Sequence, residues 1–271
     1  MKKSFSDKDF TIDLLPINRR KEFGFVFKNN WKRFLFLGFL MLLFSLPLIA
    51  SLLVRDFRAV TLVKSGDTDL LFTNELFFAI FIIPSYIILF IGLSGLFRIM
   101  RNYVWSEGIL YRQDFLIGIK QNWLFFSIIA LIFSISYYVS YLLSVYINVA
   151  FVRYLPFAIF LLVIIPLSLI QLSMISVYKN TFGMFVLNSM KIYAKKVVFI
   201  LLSELIFLVI PVLLIVLPMP LIIKYVVLVI FIFVLLPIMC FAYELLSIHI
   251  FDELINKDNH PEIYRKGLFN Q

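Results

Sequence analysis

Two carboxylates and an amide stand inside long apolar runs of this sequence: Glu204, Glu244 and Gln171. An ionised carboxylate in hydrocarbon costs about 2.5–3.5 kcal/mol, so each must face protein or a wet cavity and find a partner there. Glu204 follows Lys196 by eight residues, ~12 Å along a helix, and Glu244 lies near the end of the last apolar run. Two chemistries follow. Glutamates that share a site hold one proton between them and serve as a relay or a substrate-binding pair. Glutamates that meet hydrogen-bond donors on neighbouring helices fix packing, which is the ordinary role of Gln171. Arg98 and Arg101, at i and i+3 on one helix face, are the nearest candidate partners in sequence and otherwise anchor to lipid headgroups. Asp67-Thr68-Asp69 offers carboxylates to a hard cation, but the preceding Ser65-Gly66 reads as an ordinary solvated turn.

The rest of the chain carries no catalytic pattern. There are two histidines, His249 and His260, and one cysteine, Cys240, which sits in an apolar run and leaves no disulfide framework or thiolate metal site. His-Glu-x-x-His, Walker, Gly-x-Ser-x-Gly and Gly-x-Gly-x-x-Gly patterns are absent, and nine scattered glycines make no phosphate cradle. No catalytic residue, metal or cofactor is therefore expected, and the reading is of a protein that is not an enzyme.

The elements that must position these residues are membrane helices. The chain is 62% hydrophobic with 32 phenylalanines and a mean hydropathy of +1.00, and its apolar runs reach 20 residues repeatedly. The expected fold is all-α and polytopic, with six transmembrane helices arranged as three hairpins near Phe34–Val54, Leu76–Phe97, Trp123–Tyr146, Leu155–Val177, Val197–Leu217 and Leu221–Leu246. Pro218-Met219-Pro220 divides the last two, and Pro47, Pro84, Pro166, Pro211 and Pro237 predict kinks in every span but the third. Residues 1–22 read as a polar basic leader, retained rather than cleaved, 23–256 as the transmembrane domain and 257–271 as a tail that frays over its last ten residues. Residues 55–75 read as a long polar loop. Residues 1–33, the 98–122 and 178–196 segments and the tail carry 20 Lys/Arg against five in the other connections, which predicts cytoplasmic termini in a plasma membrane. The net charge of +9 flanks apolar spans, so its partners are anionic headgroups and not nucleic acid.

Two basic segments share a pattern. Phe23, Phe27, Lys28, Asn30 and Trp31 recur as Phe115, Ile119, Lys120, Asn122 and Trp123. The bulky residues are four apart, which on a helix makes one apolar stripe. The expected unit is an elbow: an interfacial helix against acyl chains, capped by Asn30 or Asn122, then a span diving into the bilayer. A weaker third copy runs from Thr181 to Lys196, with Phe182, Val186 and Met190 followed by Lys191, and Tyr193-Ala194 in place of Asn-Trp. Threefold elbow-plus-hairpin repetition is the resulting expectation.

The run from Leu93 to Trp123, small residues and an arginine pair closing a span before DFLIGIKQNW, resembles the YesL family of bacterial integral membrane proteins. WKRFLFLGFLMLLFSLP (31–47) is similar to its first span, Lys179-Asn180-Thr181 with Leu187-Asn188 to its second cytoplasmic segment, and His249-Ile250-Phe251-Asp252 to its closing motif. The charged leader and the 55–75 segment depart from the family pattern. The resemblance implies an accessory or assembly protein in the membrane, associated with another membrane protein or transporter subunit such as that of a carbohydrate uptake system. The competing expectation is a small secondary transporter or channel that uses the inner-half glutamates.

Overall fold

In a computed structural model of the chain, residues 16–216 and 219–268 are described, with backbone alone from 206 to 216. The described residues form six helices: α1 (Arg19–Ser65), α2 (Leu71–Val104), α3 (Tyr111–Tyr146), α4 (Ala150–Val177), α5 (Phe182–Val216) and α6 (Leu221–Asn259). All but α5 are long and apolar enough over their described residues to cross a membrane.

The chain-end signals are local. The Asn18 side chain accepts from the Lys21 N–H at 2.9 Å and opens α1 with Glu22 in its first turn. Gly66, at φ 86°, closes it by sending its N–H back to Leu62 and Val63. Asp114 opens α3 by accepting from the Leu110 N–H at 2.8 Å. Pro261 stands two residues beyond the end of α6, where its ring would block a further helical turn.

Three expectations need correction here. The 55–75 segment is not a long loop: α1 continues to Ser65, and a turn at Gly66-Asp67 with a short 3-10 segment, Thr68–Leu70, leads into α2. The apolar positions Phe57, Val60 and Val63 keep helical spacing past the end of the span, which the charges had obscured. The tail is not frayed as far as Leu268, its last described residue: Gly267, at φ 87°, lies so close to α2 that an added Cβ would meet the Val104 carbonyl oxygen at 2.2 Å, and Leu268 is buried. The elbows at Asn30 and Asn122 are also absent, because α1 and α3 run through both positions without a break. Asn30 caps nothing; its amide donates to the Val26 carbonyl one turn back at 3.0 Å, and its oxygen accepts from Arg33. No glycine or proline follows either asparagine to stop the helix. A break does occur in the weak third copy, at Lys196 (φ −127°, ψ 24°), inside α5.

The apolar stripe of the two matched segments divides between protein and surroundings. Phe23 stacks on Phe241 with ring centroids 5.8 Å apart, Phe27 tilts against Phe34 at 5.9 Å, Phe115 is buried and Ile119 packs against the core. Trp31, Trp123, Lys28 and Lys120 remain exposed. The stripe is thus in part a bundle contact, through Phe23, Phe27, Phe115 and Ile119.

Helix α2 is the hub and packs along α1, α3, α4 and α6. Its crossing with α3 is close: a Cβ on Gly118 would sit 2.8 Å from the Ser94 carbonyl, and one on Gly95 would meet the Phe115 ring at the same distance. Phe34, Tyr103 and Phe241 join α1, α2 and α6 with centroids 5.5–5.9 Å apart.

Prolines act through the carbonyl four residues earlier, which the ring displaces. Ahead of Pro166 and Pro237 the helices widen into π turns, Phe160–Ile164 and Phe231–Leu235. The Leu162 carbonyl so released accepts the Tyr193 hydroxyl of α5. The Phe233 carbonyl presses on Gly38 of α1, where a Cβ would lie 1.7 Å from the oxygen. Pro47 and Pro84 leave α1 and α2 unbroken. Pro211 and the Pro218 turn lie where side chains or residues are outside the described part of the chain.

Candidate functional site

Glu244 is fully buried, and both its carboxylate oxygens are occupied by donors from α4. Ser173 donates to Oε2 at 2.5 Å and Ser176 to Oε1 at 2.7 Å. The two serines are three residues apart, so one helix face presents both hydroxyls to one carboxylate. Arg101 completes the tie from α2: its Nη1 donates to the Ser176 carbonyl at 2.9 Å, capping the end of α4, within electrostatic reach of Glu244. Three helices are joined here, α4 to α6 by the buried carboxylate and α2 to α4 by Arg101.

Glu204 is equally interior, at 2% exposure, but neither of its oxygens has a hydrogen-bond partner among the described residues. Tyr193 and Tyr243 lie within electrostatic reach of it. The two glutamates therefore point into the bundle, as expected, but do not form a shared site. Arg98 reaches neither; its Nη1 donates to Gln121 at 2.7 Å. Gln171 donates to Ser189 of α5 at 3.1 Å, an interhelical packing bond of the expected kind.

Two further polar knots close the ends of the bundle. At one end Arg19 donates to Glu22 at 3.0 Å, to the Val104 carbonyl at 3.0 Å and to Asp252 at 3.1 Å, capping α2 while pairing with α6. A third π turn, Asp252–Asn256, turns both of its terminal side chains inwards. Asn256 donates to Asp252 at 2.8 Å and accepts the Tyr178 hydroxyl at 2.5 Å. Glu107 pairs with Lys266 at 2.6 Å, and Trp105 lies between Arg101 and Lys266, 4.6 and 4.4 Å from its ring. Lys196 pairs with Glu253 at 2.8 Å; that hydrogen bond holds the exposed Glu253 carboxyl below its ordinary range. Each of the four basic segments expected on one side thus has a described cation at this end: Arg19, Arg101, Lys196 and Lys266.

The opposite knot was not foreseen. Arg55, 8% exposed, is bound to Asp56 at 2.6 Å and lies 3.6 Å from Glu75. Tyr138 donates to the Glu75 backbone carbonyl and approaches its carboxylate at 3.3 Å, while Tyr225 donates to Asp56 at 3.1 Å and Lys224 stands 3.5 Å from it. Helices α1, α2, α3 and α6 meet here. Because Lys196 pairs with α6 at one end and Lys224 opens α6 at the other, α5 runs from one end of the bundle towards the opposite one.

Two cavities lie between the helices. The first, about 360 Å³, is apolar and bounded by Phe97, Phe133, Leu172 and Tyr243, with Phe160 and Phe231 of the two proline-linked π turns on its wall. The second, about 770 Å³, opens at the basic end among Arg98, Arg101, Gln121, Asn122, Lys179 and Thr181. Neither is lined by Glu204 or Glu244. Asp67-Thr68-Asp69 is an exposed turn in which Asp67 accepts from Ser65 at 2.7 Å, and no His/Cys/Asp/Glu cluster suited to a metal occurs among the described residues. No family model, no curated protein and no solved structure matches the chain.

Proposed function

We propose that the chain is a non-enzymatic accessory or assembly protein of the plasma membrane, crossing it six times with the basic end in the cytoplasm. The observation that carries this reading is the use of interior polar groups as helix ties: Glu244 is satisfied by Ser173 and Ser176, Arg101 by the end of α4 and Gln171 by Ser189. A carboxylate with a fixed hydroxyl on each oxygen holds helices together and is poorly suited to exchange an ion. At the basic end, Trp31, Leu116, Trp123 and Leu187 are exposed and offer surface for another membrane protein. The link to carbohydrate uptake rests on the resemblance to the YesL family.

A second reading, a small transporter, is favoured by one observation, the interior carboxylate of Glu204, which has no hydrogen-bond partner among the described residues and lies within electrostatic reach of Tyr243 on the wall of the apolar cavity. One experiment separates the two. The tagged full chain, solubilised in mild detergent, should co-purify in stoichiometric amount with permease subunits of a carbohydrate uptake system. Reconstituted alone, it should leave vesicles no more permeable to sugars, protons or sodium than empty ones. Flux supported by the chain alone and abolished by Glu204→Gln would replace the accessory reading with the transporter.

A further inference from the structure

The pocket at the basic end has the composition of an anion site. Its charged lining is cationic throughout: Arg98 and Arg101 from the end of α2, and Lys179 from the connection between α4 and α5. Gln121, Asn122 and Asn180 supply neutral donors. Thr181 precedes α5, whose first intrahelical bond runs from Phe185 N–H to the Thr181 carbonyl, so the N–H groups of Phe182, Gly183 and Met184 have no helical acceptor, and Thr181, Met184 and Phe185 of this turn line the pocket. Arg101 is already engaged with the Ser176 carbonyl and stands 3.9 Å from Glu107. Arg98 is not fully engaged: Gln121 takes Nη1, while its Nε has no partner among the described residues. A guanidinium with open N–H groups at the wall of a cationic pocket favours a charge-assisted partner such as an oxyanion. Below the polar rim the wall turns apolar, with Phe125, Ile175 and Phe185.

We infer that this pocket binds a phosphate ester, with Arg98 and Lys179 as its principal cations and the first turn of α5 as its amide cradle. A phosphodiester lipid headgroup and a soluble phosphomonoester present the same oxyanion chemistry. The site goes beyond the proposed function and holds whether the chain is an accessory protein or a transporter.

The test uses the full chain in lipid nanodiscs, with Arg98→Gln/Lys179→Gln set against Lys28→Gln/Lys32→Gln, an equal loss of charge on exposed residues outside the pocket. Native mass spectrometry counts phosphatidylglycerol retained from mixed phosphatidylglycerol–phosphatidylcholine discs. A parallel arm measures the melting shift that glycerol 3-phosphate or inorganic phosphate produces in pure phosphatidylcholine discs. A headgroup site predicts retention that falls at least about tenfold in the pocket pair and little in the control pair. A soluble-ester site predicts instead a melting shift that the pocket pair abolishes and the control pair keeps. Equal losses in both pairs, or no ligand effect in either arm, would overturn the site. Because Lys179 is exposed, Lys179→Gln alone preserves a folded test should the double substitution unfold the chain.

Discussion

Glu22 is buried in the first turn of α1, 3.0 Å from the Arg19 guanidinium, and its Oε1 has no partner among the described residues. Burial pushes its pKa up from 4.5 to about 7, against the pull of Arg19 and with a smaller push from the Asp252 charge. The folded chain therefore holds this proton more tightly than the unfolded chain does. The associated stability is complete below 4.5 and is lost as pH rises through about 7. Glu22→Gln keeps an acceptor for Arg19 without the charge. Its melting temperature in detergent should gain on that of the native chain from about pH 5 to about pH 8, by no more than about 3 kcal/mol in equivalent stability. Parallel pH curves for the two proteins would show that Glu22 does not carry the effect. At this scale the sequence was half legible. Glu204 and Glu244 were visible because carboxylates stand out in apolar runs. The donors of Glu244 were not, since Ser173 and Ser176 are ordinary residues some seventy positions away in sequence. Arg55 and Glu75 were missed because charges at the end of a span read as loop, whereas here they pair across helices.

Among the helices, the six apolar segments and the proline positions could be read directly from sequence, because both are properties of a local window. What prolines do could not. Pro166 and Pro237 produce π turns whose released carbonyls are taken up by partners on other helices, Tyr193 in one case and the bare backbone of Gly38 in the other. Gly38 looked like any glycine in a span. With a Cβ 1.7 Å from the Phe233 oxygen, Gly38→Ala requires α1 and α6 to separate, whereas Gly24, with nothing within 4 Å of its Cβ position, has room. Gly38→Ala should lower the melting temperature strongly, by the equivalent of about 1–3 kcal/mol or more. Gly24→Ala should be neutral or stabilising by up to about 1 kcal/mol through helix propensity. Equal melting temperatures for the two variants would mean that the α1–α6 contact is not as close as described. The elbow expectation failed for a related reason. Periodicity four apart identifies an apolar face but not what covers it, and Phe241 and Phe34 cover Phe23 and Phe27.

The molecule as a whole is a bundle closed by a polar knot at each end, with α2 at its centre. The charge pattern correctly grouped the basic segments: Arg19, Arg101, Lys196 and Lys266 all make contacts at one end, and Arg55 and Lys224 share a carboxylate at the other. The repeat was less informative, because the break in a helix belongs to its weakest copy, at Lys196, and the two stronger copies are continuous. The central claim is that six crossings leave the basic end in the cytoplasm. Single cysteines at Ser65, Gln113 and Met219, each in a Cys240→Ala background, test it in intact cells with a membrane-impermeant thiol reagent. Six crossings in this orientation predict labelling at positions 65 and 219 and none at 113 until the cells are opened. Labelling at 113 in intact cells, or protection of 219 while 65 reacts, would contradict it.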